Sequence, residues 1–434
     1  MIISFFSHKG GVGRTMAIAN IAWLLIKKGK KVIMMDWDFE SPGLENFFRL
    51  SADKFYEHPG FMELMDSFSE LNKNNSSTIR YPEINDFLYN IQTNTTGKLQ
   101  IIHPGRRSIK ENVKKYVKTV SSNQFIAFYN EYHSTFFNWM YNELKDNADY
   151  VLIDERTGFS HTSAIGNFHM ADLVLLFSST STQNFDGLAY MLERFKNPDL
   201  QQKRNNRKIE TLIVPSRFDT DQTEPLMRFA TDFYHKFEKY LIQDVQSQED
   251  ELKPDKYLYD LGIPYLGYYS FNDIIAVKEG KNDQNYNLWL AYNRLLARIE
   301  RTYWPDVFIY YCEQDKDSCE LIVSDLKTRG IKVWVDFDNK NYSNKTFNDI
   351  LENSRFFLVL YSKDFLKKSE NYKATTIETR ITEASQNNQS IVLLLDDTKI
   401  VDPYEKMISL DLSKQDKDNP PIYQFIKRIN FINE

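Results

Sequence analysis

The chain has little cysteine, no long apolar run and no excess of positive charge. Cys312 and Cys319 are its only two cysteines, which excludes a disulfide framework and a cysteine-built zinc site. No uninterrupted apolar run approaches the roughly 18 residues that a membrane-spanning helix needs. The net charge of -6 argues against a protein that coats nucleic acid, leaving only local basic patches to consider. Gln201-Gln202-Lys203-Arg204-Asn205-Asn206-Arg207-Lys208 is such a patch. It lacks interleaved aromatics and reads as a solvated loop, with a nucleic-acid contact as the alternative. The N-terminus enters an apolar strand directly, with no leader pattern, so the expected location is the cytoplasm and no membrane partner is expected.

Against these absences stand 31 Phe and 26 Tyr in 434 residues, 42% of which are hydrophobic. That length and composition suit two or three domains, each with a full core.

The most informative stretch is His8-Lys9-Gly10-Gly11-Val12-Gly13-Arg14-Thr15. It follows the apolar run Ile2 to Phe6 and precedes Met16 to Lys28, whose apolar residues recur at helical spacing. A strand, a glycine-rich turn and a helix form a phosphate cradle. The glycines let the backbone approach closely, successive N–H groups point inward, and the helix N-terminus adds partial positive charge. Thr15 stands where a hydroxyl would face Mg²⁺. The usual phosphate-loop pattern ends Gly-Lys-Ser/Thr, whereas here Arg14 takes the lysine position. The charge is kept, but the longer, forked guanidinium bears on hydrolysis more than on binding.

Lys31 to Met35 reads as a second buried strand, closing on Asp36-Trp37-Asp38. Two aspartates two apart at the end of a strand lie where open α/β sheets bind ligands. Tyr150-Val151-Leu152-Ile153-Asp154 is another apolar strand ending in aspartate, the arrangement that holds Mg²⁺ beside a phosphate loop. Leu99 to Pro104, Asp172 to Phe177, Leu212 to Arg217 and Gly262 to Tyr265 complete a strand series separated by helical segments. The expected fold is a doubly wound, mostly parallel sheet. Asn72 to Thr78 reads as a surface loop. Phe125 to Leu144 reads as aromatic core, and Arg106-Arg107 as solvated surface or a phosphate contact.

The paired glycines with Lys9 before them and a second cation at position 14 resemble the deviant-Walker-A ATPases of the ParA/MinD group. The resemblance covers roughly residues 1–300 and implies an ATP- and Mg²⁺-binding domain that dimerises on nucleotide. It implies that Lys9 reaches across the dimer and that Gly10, Gly11, Val12, Gly13, Arg14 and Thr15 cradle phosphate. Asp36, Asp154 and Thr15 would serve the metal, and Asp38 would position the attacking water. Glu155-Arg156-Thr157-Gly158 resembles the segment that senses the γ-phosphate, and Ser216 falls where the family contacts adenine.

A helical pattern from Asn285 to Tyr303 stops at Trp304-Pro305, and a new domain is expected over 304–434. Asp306 to Tyr311, Ile331 to Asp336, Phe356 to Tyr361 and Ile391 to Leu395 alternate with the helices Cys319 to Arg329 and Thr346 to Ser354. This is a flavodoxin-like α/β pattern. Asp306 to Tyr311 with the acidic turn Glu313-Gln314-Asp315, Gly330 to Lys345, Ser354 to Ser362 and Leu393 to Asp397 together resemble a TIR domain from end to end.

Many bacterial TIR domains cleave NAD⁺, and the resemblance places the glutamate that would do so at Glu378. Glu370 and Glu383 compete for that role. The tryptophan that the family sets four residues earlier is Ala374 here, with Tyr372 as the nearest aromatic, and Ser343-Asn344 replaces the family's loop glycine. Tyr311 and Phe347 are candidates for the wall of the nicotinamide pocket, and each fits core packing as well. The fusion implies an ATP-dimerised switch, a homodimer or larger homo-oligomer, governing an NAD⁺-consuming effector in antiphage defence, with a phage-derived or cellular trigger. The alternative is a TIR scaffold assembled or positioned by the ATPase.

Overall fold

Ile2–Phe6 buries every residue, and a strand without a polar face belongs inside a sheet covered on both sides. The computed structural model describes residues 1–73, 78–121, 124–132, 135–159, 165–204, 207–241, 254–335, 344–367, 372–412, 422 and 424–426. They divide between Ile299 and Glu300 into two compact units.

The strands of the first unit are β1 (Ile2–Phe6), β2 (Lys31–Asp36), β3 (Tyr89–Ile91), β4 (Lys98–Ile102), β5 (Tyr150–Asp154), β6 (Leu173–Ser178), β7 (Glu210–Phe218) and β8 (Ile263–Pro264). They form an eight-stranded sheet ordered β3-β4-β2-β5-β1-β6-β7-β8. Every pairing is parallel except β3 with β4. The doubly wound, mostly parallel α/β fold is therefore observed, with an antiparallel edge strand in addition. Chain order reverses around β1, and in such sheets ligands bind beyond the carboxyl ends of the strands at that point.

Between β2 and β5 one face is covered by the helices Phe61–Leu71, Gln124–Tyr132 and Phe136–Asn147. Their aromatic residues pack with Trp37 and Phe39 in one core cluster that includes Phe61, Phe68, Phe128, Phe136 and Phe137. The Phe125 to Leu144 stretch falls on two of these helices, and its aromatics belong to or pack against this core. Of Asn72 to Thr78, residues 74–77 lie outside the described residues.

Two arginine readings are corrected. Arg204 is fully buried and donates to the carbonyl oxygens of Phe168, Ala171, Arg207 and Lys208. Arg207 lies 3.6 Å over the Tyr141 ring and donates to the His169 carbonyl. Their guanidinium groups satisfy carbonyls, so Arg204 and Arg207 are not free surface cations, whereas Lys208 is exposed; residues 205 and 206 lie outside the described residues. Arg107 packs between Tyr56 and Tyr116 and reaches Glu45 at 3.4 Å, while Arg106 is exposed.

The second unit contains β9 (Val307–Tyr310), β10 (Val333–Val335), β11 (Phe356–Tyr361), β12 (Ser390–Leu394) and β13 (Ile408–Asp411). Its five strands are all parallel in the order β10-β9-β11-β12-β13. That is the flavodoxin-like order. Val307, Ile309, Leu358, Leu360, Ile391 and Leu393 point into one core cluster. The last strand, β13, extends the four-strand reading from sequence. No helix among the described residues is long and apolar enough to cross a membrane.

Candidate functional site

The turn after β1 leads into helix α1 (Arg14–Lys27), whose N-cap is Gly13 at φ 88. Gly11 also has a positive φ of 73. Both conformations belong to the left-handed region that side chains disfavour, so the spacing of these glycines is set by the turn itself. The N-terminus of α1 opens into a cavity of about 330 Å³ lined by Gly11, Val12, Gly13, Arg14, Thr15 and Met16. Lys9, half-buried, and Gly10, exposed, do not line that cavity.

Strand register supplies the acids. Asp36 at the end of β2 lies directly opposite Asp154 at the end of β5. Asp36 is 2% exposed and Asp154 3%. Burial first, then the neighbouring Asp154 and Glu45, push the Asp36 carboxyl well above the usual range, against amide donors at Gly43 and Leu44. Burial lifts Asp154 to about 6, although Arg14 and a hydrogen bond from Thr15 pull the other way. Glu155 is also buried and raised, chiefly by burial. Uncompensated negative charge in a low-dielectric site favours protons or a cation.

A divalent cation fits this set. Asp154 Oδ1 is buried with no hydrogen-bond partner, the Thr15 hydroxyl is bonded to the same carboxylate, and Asp36 is its cross-strand neighbour. No group of three or more side chains able to hold a metal ion occurs among the described residues. Mg²⁺ commonly uses one or two carboxylates with waters and phosphate oxygens instead.

Asp38 is half-buried at the cavity wall, where its Oδ1 accepts the Ser41 amide. Arg14 is buried and donates to the carbonyl of Glu155. The guanidinium thereby satisfies backbone and offsets acids, a role that the loop spacing alone does not disclose. Arg156 pairs with Glu40, linking the segments that follow β5 and β2.

Ser216 is corrected. It is 1% exposed, its hydroxyl bonds the Ser178 carbonyl at 3.4 Å, and it does not line the cavity. An irregularity in the β7–β8 register gives that place to the next residue. Arg217, at φ 56, donates to the Gly11 carbonyl and lies 4.4 Å over the Tyr265 ring. Arg217, which packs on the glycine turn, lines the cavity together with Pro264 and Tyr265. Sequence reasoning missed them, because a left-handed residue at a register irregularity leaves no period-two signal.

In the second unit Glu378 is half-buried on the helix Tyr372–Ser385. Its Oε1 accepts the Tyr404 hydroxyl at 3.1 Å and the Tyr310 hydroxyl at 3.5 Å. Burial first, and then Glu378, raise both phenols far above neutrality, so each stays an O–H donor. Glu383 is exposed and 3.8 Å from Arg380, whereas Glu370 and Ser343 lie outside the described residues.

Of the two readings open for Tyr311 and Phe347, both residues show core packing. Tyr311 packs against the core cluster that holds Val307 and Ile309, because odd positions of β9 face that side. Tyr310, of opposite parity, reaches Glu378. Phe347 is 4% exposed and packs at 5.7 Å from Trp334 and 6.2 Å from Phe308, which makes it core.

Comparison with known proteins agrees with this division. Residues 1–211 match the AAA domain family and residues 307–425 match the TIR domain family. An uncharacterized ATP-binding protein of Methanocaldococcus jannaschii is 26% identical over 176 residues, 41% of this chain and 52% of that protein. A second from the same organism is 39% identical over 54 residues, 12% of this chain and 20% of that protein. The chain thus spans about half of one curated relative and a fifth of the other. A solved plasmid partition protein from Borrelia burgdorferi is 15% identical, with a TM-score of 0.41 over 69% of this chain and 97% of that one.

Proposed function

From a chain that carries an AAA domain followed by a TIR domain, we propose an ATP-controlled NAD⁺ hydrolase. In this reading residues 1–300 are the nucleotide switch and residues 304–434 the effector. The phosphate cradle of Gly10, Gly11, Val12, Gly13 and Thr15 binds ATP, while Arg14 stabilises the acids behind it. Lys9, just before the paired glycines, meets the nucleotide of a second copy. Thr15, Asp36 and Asp154 hold Mg²⁺, which when bound neutralises phosphate charge. Asp38 orients the attacking water, and slow hydrolysis follows from Arg14 in place of lysine.

In the effector, cleavage breaks the bond between the ribose anomeric carbon and nicotinamide, and the electron pair leaves with the nicotinamide nitrogen. Positive charge develops on the ribose, and the Glu378 carboxylate stabilises it and grips the ribose hydroxyls. Water then bonds to the anomeric carbon and releases a proton, giving ADP-ribose. The observation that carries this reading is a half-buried carboxylate held by two neutral hydroxyl donors, an oriented charge rather than a solvated one.

ATP controls turnover if it binds the assembled state more tightly than the separate one. Consumption of a central cofactor on demand suits abortive antiphage defence with a phage-derived or cellular trigger, in the cytoplasm, and that role is part of the proposal.

The competing reading, a TIR scaffold assembled by the ATPase, draws on the same contact, since Glu378 also satisfies two buried tyrosines. Nicotinamide release by the full chain separates the two. The hydrolase reading expects release that Glu378→Gln abolishes; release unaffected by Glu378→Gln, or none from the native protein with ATP and Mg²⁺, supports the scaffold.

A further inference from the structure

A glutamate in the middle of an exposed helix face ordinarily samples several rotamers, and fixing it costs side-chain entropy. Glu378 is held by hydroxyls from two different elements, Tyr310 at the end of β9 and Tyr404 in the short 3₁₀ turn Tyr404–Lys406.

Those hydroxyls are themselves fixed. The Tyr404 ring packs 5.6 Å from Tyr361 and 5.7 Å from Phe365, and Phe365 is 5.4 Å from Tyr310. The Tyr361 hydroxyl accepts the Val401 amide, which ties the segment carrying Tyr404 back to β11. Ser362 and Cys312 both donate to Asp315, and the Phe365 amide donates to Ser362, so the far side of the aromatic cluster is braced as well.

We propose that Tyr404, assisted by Tyr310, is a positioning residue that holds Glu378 in its reacting orientation, an inference that rests on the NAD⁺ hydrolase reading. The Tyr404 contact is the shorter and carries more of the constraint. Hydrogen bonds to an ionised acceptor are about twice as strong as neutral ones, and two donors on one oxygen fix the direction of the carboxylate plane. Positioning of this kind acts on the reacting geometry, so its loss falls on kcat rather than on substrate affinity.

Tyr404→Phe and Tyr310→Phe keep the rings and remove only the hydroxyls. In the full-length protein, kcat and KM for NAD⁺ are measured with thermal stability for each variant. Tyr404→Phe is expected to lower kcat about tenfold with KM within about twofold. Tyr310→Phe should lower it less, and the double variant more than either. Lower thermal stability with kcat unchanged in both variants would make the contacts purely structural and overturn the inference. A native protein with no turnover that depends on Glu378 overturns the hydrolase reading and this inference together, whereas a turning-over protein indifferent to both hydroxyls removes only the positioning role.

Discussion

Replacing Asp154 by asparagine should stabilise the nucleotide-free first unit at neutral pH. Burial raises this carboxyl from 3.8 to about 6, so the folded state binds more protons than the unfolded state between those values. Stability then falls as pH rises through that window and stays lower above it. At about 1.36 kcal/mol per pH unit of displacement the cost by pH 7 is roughly 3 kcal/mol. Asp36, raised in the same direction by burial and by Asp154, adds to it. Asp154→Asn removes this cost at nearly constant shape and also relieves Asp36. Without nucleotide the variant should therefore exceed the native protein by about 2–3 kcal/mol at pH 7.5, and the gap should close toward pH 4. Because the chain has two units, a whole-chain melt is not a single two-state transition. Hydrogen exchange of peptides spanning Tyr150–Asp154, corrected for intrinsic rates, reads the opening free energy of β5 directly. Mg²⁺ and ATP should stabilise the native protein and leave the variant unchanged. A variant no more stable than the native protein at pH 7.5 would refute the argument that these acids are electrostatically frustrated until a cation arrives.

The remaining expectations concern the same cavity and the core behind it. Gly13→Ala forces a side chain into φ 88, which costs about 1–3 kcal/mol of backbone strain and shifts the turn; calorimetry should find ATP affinity lowered while the second unit melts as before. Arg217→Ala removes the guanidinium lying between Gly11 and Tyr265, and ATP affinity should fall about tenfold, the equivalent of one charge-assisted contact. Arg204→Met leaves the carbonyls of Phe168 and Ala171 without their buried donor, so urea unfolding of the first unit should show a loss of about 3 kcal/mol or more, with ATP affinity of the folded fraction unchanged.

Most of the parallel strands were legible because each is an apolar run closed by a turn or an acid, whereas β13, Ile-Ser-Leu-Asp, offers no such run; Asp36, Asp38 and Asp154 announced the binding end of the sheet. The phosphate loop was legible for a similar reason, since positive φ at Gly11 and Gly13 is a demand that few residues meet. Contacts made across the chain were not. Nothing local shows that Arg14 turns to Glu155, that Arg204 satisfies carbonyls more than 30 residues away, or that Arg107 meets Glu45. In each case a cation that sequence assigns to phosphate or solvent is claimed by buried backbone or a buried acid. A register irregularity explains Ser216, because Arg217 at φ 56 interrupts β7 and lines the cavity in its stead, and parity explains why Tyr310 rather than Tyr311 reaches Glu378, since a strand sends neighbours to opposite faces. Tyr404 was invisible for another reason, because a residue between β12 and β13 reaches Glu378 only through the folded chain.

The central claim joins the two units through function, and NAD⁺ consumption by the full-length protein with and without ATP and Mg²⁺ tests it most directly, with Glu378→Gln and Lys9→Ala measured alongside. The account predicts consumption that changes at least several-fold with ATP, vanishes in Glu378→Gln, and loses its ATP response in Lys9→Ala. Consumption that is identical with and without ATP, or that survives Glu378→Gln, would contradict it.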